Sequence, residues 1–160
     1  MASGQRLALF RPVECDPVAT SAAPDTRNGH PVLDFSGQVD QEAVFTDKLT
    51  GYAGGGFQVL TAWALSCATT GPFRIQAALE RMAGSGYNVS VDTFGALASA
   101  AAAAPAVSGE TIEVSVALPA GALLNGDGFR LKIRRDADQT SGPDTIATDA
   151  ELLMVELKEA

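Results

Sequence analysis

Histidine is almost missing from this 160-residue chain, with His30 as the single imidazole. A hydrolytic triad or a histidine-based zinc site therefore has almost nothing to build on. Cysteine is scarce too: Cys15 and Cys67 stand 52 positions apart with no CxxC spacing. This argues against a zinc ribbon or a disulfide framework, and two reduced thiols in a protein made in the cytoplasm are expected. Aromatic residues make up only 6%, and beyond phenylalanine there are just Trp63, Tyr52 and Tyr87. That is too few for the stacked platforms a sugar-cleaving groove uses around its paired carboxylates. Cations are outnumbered 11 to 19, giving a net charge of −8 and a pI near 4.5. The balance disfavours nucleic-acid backbones and anionic membrane surfaces, both of which require clustered positive charge. Long apolar runs are absent as well. Residues 7–10 are apolar, but Arg11 and Pro12 end the run far short of a secretory leader or a membrane span. There is no P-loop and no GxGxxG, because Gly54-Gly55-Gly56 leads into a strand-like segment and not a helix. No cofactor is expected.

What is present is globular: 46% hydrophobic and 19% charged residues, enough for one core. Residues 1–31 carry Pro12, Pro17, Pro24 and Pro31 with no sustained period, and predict an extended N-terminal arm. Residues 32–160 predict a β domain, with short apolar runs cut by turn residues.

Two segments alternate clearly. In 111–118, Ile112, Val114, Val116 and Leu118 share one face; in 129–135, Phe129, Leu131 and Ile133 oppose Arg130, Lys132 and Arg134. Residues 57–65 read as a central strand, and 150–157 as a strand covered on both faces. Residues 73–82 alternate but contain good helix formers; strand is preferred because both neighbours are strands. Residues 32–35, 43–49 and 88–92 are weaker strand candidates. The alanine-rich stretch 96–106 fits either a short helix or a small-residue strand. The sum is all-β, a jelly-roll-like two-sheet β-sandwich of about eight strands.

Among chemistry-bearing residues, His30 lies in the turn-like Asn28-Gly29-His30-Pro31, and Cys67 follows an apolar strand where an inert buried thiol is the usual outcome. Asp136, Asp138, Asp144 and Asp149 share one loop. Oxygen-rich loops can hold calcium, but the spacing fits no EF-hand, and side chains bonding their own backbone explain such a loop as well. The basic stripe Arg130, Lys132 and Arg134, with Arg135 beside it, is the candidate partner-binding surface. Arg6 and Arg11 add cations in the arm. The alternative for the stripe is a solvated face satisfied by nearby acids.

Tyr52-Ala53-Gly54-Gly55-Gly56-Phe57, Trp63, Glu80-Arg81-Met82, the segment from Phe129 to Asp138, and Asp149-Ala150-Glu151-Leu152-Leu153 together resemble tailed-bacteriophage virion structural proteins. The resemblance spans roughly residues 32–157 and points to capsid decoration or cement proteins and fibre-associated jelly rolls. It implies a non-enzymatic virion protein, assembled in the host cytoplasm, that binds the major capsid protein on the outer surface of the shell as a homotrimer. Residues 1–31 would be the arm reaching across capsomers. The second reading is a fibre or spike adhesion module that binds a host glycan or receptor. The resemblance carries no catalytic residues with it.

Overall fold

Strands follow the period-two pattern closely. The computed structural model describes residues 4–66 and 70–160, so Cys67 lies outside the described residues. Among these residues run ten strands: β1 (Arg6–Phe10), β2 (Ala23–Arg27), β3 (His30–Phe35), β4 (Glu42–Lys48), β5 (Phe57–Leu65), β6 (Pro72–Met82), β7 (Ala98–Ala103), β8 (Thr111–Leu118), β9 (Gly128–Arg135) and β10 (Ala150–Glu159). One sheet has the order β2-β3-β10-β5-β8, with β1 also on β10, and the other has the order β4-β9-β6-β7. All pairings between these strands are antiparallel. This is the two-sheet, jelly-roll β-sandwich that the alternation predicts.

The count differs from eight because residues 4–31 are not a free arm. Arg6–Phe10 pairs with β10, and Ala23–Arg27 forms a hairpin with β3. Between them, Asp16 and Ser21 bridge to Val44 and Glu42 at the outer edge of β4. The physical reason lies at Asn28-Gly29, where both residues adopt positive φ (47° and 79°). An Asn-Gly pair in this conformation makes the two-residue turn whose twist matches a hairpin. Pro24 is tolerated because β2 is an edge strand. Residues 88–92 are likewise not a strand: the Ser90 N–H donates to Asn88 Oδ1 at 3.0 Å and the Val91 N–H to Asn88 O at 3.2 Å, a local turn. The alanine-rich stretch resolves in favour of the strand, β7, which pairs with β6.

Between the sheets, Trp63 makes edge contacts with Phe35 and Phe73, each at 5.0 Å between ring centroids. Its Nε1–H donates to Thr61 Oγ1 at 2.7 Å, and the Thr61 hydroxyl donates to Val114 O at 3.1 Å. Both polar groups are thus satisfied inside the core. Phe10 stacks on Phe45 at 5.1 Å, so β1 brings a large ring to the core. Arg135 has the same strand parity as Phe129, Leu131 and Ile133 and points inward, fully buried. It therefore departs from the outer stripe beside which the sequence places it. Its guanidinium meets Asp144 and the carbonyls of Phe35, Thr148 and Ile146, clasping the 136–149 loop to the sandwich.

Candidate functional site

The alternation that buries Phe129, Leu131 and Ile133 turns Arg130, Lys132 and Arg134 to the outer face of the second sheet. Register sets their neighbours: on β6, Glu80, Ala78 and Gln76 lie opposite Arg130, Lys132 and Arg134. On β4, Thr46, Val44 and Glu42 flank them from the other side. Each cation finds an acid. Arg130 Nη1 reaches Glu80 at 2.7 Å and Asp92 at 2.8 Å, Lys132 Nζ reaches Glu42 at 3.2 Å, and Arg134 pairs with Asp40. Three cations thus face four acids, and the stripe is neutralised within the molecule.

The loop between β6 and β7 folds over one end of this row. The Phe94 ring lies under Lys132 Nζ at 4.3 Å and Arg130 Cζ at 5.0 Å, a cation–π arrangement that fixes both side chains. The same loop brings Thr93, whose N–H and hydroxyl donate to Glu80 Oε1 at 2.6 and 2.9 Å. Burial works against a charge on Glu80, but hydrogen bonds from Thr93 and Arg130 outweigh it and hold the carboxyl below its usual range. Asp92 is held low mainly by its hydrogen bond from Arg130. Arg130 loses solvation on burial, and contacts with Asp92, Tyr87 and Glu80 more than restore its charged form. Beneath the row, Gln76 is buried, and Gln76 Oε1 and Arg134 Nε, side by side in register, have no partner among the described residues.

Three of the five sequence-predicted residues are therefore brought together. Arg6 and Arg11 are not: Arg6 lies exposed on β1 beside Lys158 of β10, and Arg11 precedes the Pro12–Glu14 turn on the first sheet's side. Phe94, Tyr87, Glu42, Asp40, Glu80 and Asp92 are the members that the sequence did not name. For Glu80 the usable signal was its strand parity with Arg74 and Gln76, opposite to Phe73, Ile75 and Ala77, but only the register shows that it opposes Arg130.

The acidic loop separates into different roles. Asp136 is fully buried and accepts hydrogen bonds from the N–H and hydroxyl groups of Thr140 and Ser141, at 2.5–3.1 Å. Burial opposes its charge, yet these donors keep it below the normal carboxylate range. Asp144 belongs to the Arg135 clasp, and Asp149 accepts the Gly37 N–H at 3.3 Å. Asp40, Asp136 and Asp138 approach one another closely enough to share an ion. Asp40 is already paired with Arg134, and Asp136 is filled by its own loop. His30 is exposed on β3, as a turn histidine should be, and Cys15 is half-buried, with burial pushing its thiol up.

Fold and site together define a jelly-roll β-sandwich with an internally neutralised, partly exposed polar face on its four-stranded sheet. The chain matches no protein-family model and no curated protein. Among solved structures it is similar to the N-terminal CBM22-1–CBM22-2 tandem of Xyn10C from Paenibacillus barcinonensis. The TM-score is 0.55 and the identity 14%, covering 99% of this chain and 51% of that one, so the chain spans about half of the tandem. The xylan-binding CBM22-2 domain of the same protein aligns with a TM-score of 0.45 and 14% identity over 85% of this chain and 83% of that chain. The K3 cleaved adhesin domain of Lys-gingipain from Porphyromonas gingivalis w83 gives 0.47 and 14%, over 83% and 78%. At these identities the likeness is one of fold.

Proposed function

We propose that this chain is a non-catalytic, glycan-binding β-sandwich of the adhesion kind, the second of the two readings the sequence raised. The observation that carries it is the outer face of the second sheet. There Arg130, Lys132, Arg134, Glu42 and Asp40 are held in place by ion pairs while their side chains stay 15–24% exposed, bordered by Phe94. Fixed donors and acceptors beside an aromatic ring suit a hydroxyl-rich ligand, because little side-chain entropy is left to lose on binding. A face whose cations are already paired suits a neutral glycan better than a polyanion. The scaffold is also that of the CBM22 modules, named for carbohydrate binding. Fold alone assigns no ligand; the support comes from the polar face.

The capsid-decoration reading drew its mechanism from a free arm of residues 1–31. With β1 laid on β10 and β2 on β3, that segment contributes to its own sandwich. A glycan array probed at low and high salt tests the proposal. Binding to neutral oligosaccharides that survives high salt is expected. Binding only to sulfated or uronic-acid glycans, abolished by salt, would overturn it.

A further inference from the structure

Four prolines of the first 31 residues, Pro12, Pro17, Pro24 and Pro31, line one groove of about 500 Å³ between the 12–21 segment and the β2–β3 hairpin. The glycan-binding face does not use this groove. We propose that it binds a basic peptide segment of a partner protein, with apolar residues flanking the cation.

The walls supply the apolar part. Proline rings and the side chains of Val13, Val18 and Val32 surround a volume within the range of about 300–1,000 Å³ typical of ligand pockets. Proline fixes its own backbone, so these walls lose little freedom when a partner docks. Val13, 73% exposed, forms an apolar lip that none of the described residues covers.

The charge of the partner follows from the two carboxylates in the lining. Asp16 accepts the Thr46 hydroxyl at 2.5 Å, and Asp25 accepts the Thr26 N–H at 2.7 Å; neither has an ion-pair partner among the described residues. Among the described residues no lysine, arginine or histidine lines the groove. The field behind it is negative as well. Burial, then the charges of Glu151, Asp25 and Asp149, push the Asp34 carboxyl up to about 6, while Arg27 on β2 is engaged with Glu151. A guanidinium or ammonium in the groove would face two carboxylates that lack an ion-pair partner among the described residues, against apolar walls, where charge-assisted hydrogen bonds are strong.

The test titrates the full chain, followed by amide NMR shifts, with acetyl-Leu-Arg-Leu-amide and with acetyl-Leu-Glu-Leu-amide. The arginine peptide should shift the resonances of Val13, Val18 and Val32 and saturate, and the glutamate peptide should not. Asp16→Asn combined with Asp25→Asn changes two carboxylates that are half-buried and exposed, so the fold should survive, as the unchanged remainder of the spectrum would show. Affinity should fall at least tenfold. The proposal is overturned if the arginine peptide perturbs no groove resonance, if both peptides bind alike, or if the double variant binds the arginine peptide undiminished. Neither groove carboxylate belongs to the glycan-binding row, although Asp16 reaches Thr46 at its margin, so the double variant should still bind neutral oligosaccharides.

Discussion

Asp144→Ala should be among the most damaging single substitutions in this protein. Arg135 and Asp144 are 0% and 5% exposed, and they meet through two bonds, Nε to Oδ2 at 3.1 Å and Nη2 to Oδ1 at 3.2 Å. Asp144 also accepts the backbone N–H groups of Arg74 at 3.2 Å and Ile146 at 3.0 Å. Removing it leaves a buried guanidinium without a counter-charge, which typically costs about 3–5 kcal/mol. Three carbonyls, those of Phe35, Thr148 and Ile146, still hold the guanidinium. This places the expected cost near the lower end, about 3 kcal/mol. At about 2–4 °C per kcal/mol for a chain of this size, Tm should drop by about 6–12 °C. Urea unfolding followed by tryptophan fluorescence reads the same quantity, because Trp63 sits in the core. Asp144→Asn keeps the acceptor and loses only the charge, so it should cost less than Asp144→Ala. A loss under about 1 kcal/mol for Asp144→Ala, or an Asn variant no better than the Ala one, would show that the ion pair does not hold the loop.

Three further outcomes follow from the same geometry. Asp34 has a folded-state pKa raised to about 6, so the folded state holds its proton more tightly than the unfolded one. Its ionisation costs stability as pH rises from the unfolded value through 6, and Asp34→Asn should raise Tm more at pH 8 than at pH 4; an equal shift at both pH values would contradict this. Glu80 is held low in the folded state, so its contribution is present at neutral pH and is lost as pH falls through the carboxylate range. Arg130→Ser should lower Tm at pH 7 and flatten the acid limb of a Tm-against-pH curve, and an unchanged limb would count against the Glu80 pairing. Gly37→Ala would place a Cβ 2.5 Å from the Ala147 carbonyl oxygen, and overpacking against backbone should cost about 1–3 kcal/mol in urea unfolding.

Much of the sandwich was legible because β5, β8 and β9 alternate strongly, and the period-two rule needs only local sequence. The same rule, carried one step further, puts Arg135 inside with Ile133. In the sequence alone, an arginine beside a basic stripe looks like part of that stripe. Strand β1 escaped because its register shifts between Arg6 and Ala8, which buries Leu7, Ala8 and Phe10 and breaks the alternation. Strand β2 is Ala-Pro-Asp-Thr-Arg at a sheet edge with almost no burial, so hydrophobicity could not mark it. The Asn28-Gly29 turn could have. Of the candidate face, the three cations and the alternative of their pairing with nearby acids were visible; which acids was not, since Asp40, Glu42, Glu80 and Asp92 come from other parts of the chain. The groove of four prolines was visible only as punctuation. Its walls converge through tertiary folding, which no local pattern records.

The central claim is best tested by native electrophoresis in gels cast with neutral soluble polysaccharides, including xylan and mixed-linkage β-glucan. The wild-type chain is compared with Phe94→Ala/Lys132→Ala. Retardation of the wild type in at least one such gel, at both low and high salt, with recovery of free mobility in the variant, is the result the account predicts. A wild-type chain that migrates freely through all of them, or a variant retarded as strongly as the wild type, would contradict the assignment of this face to glycan binding.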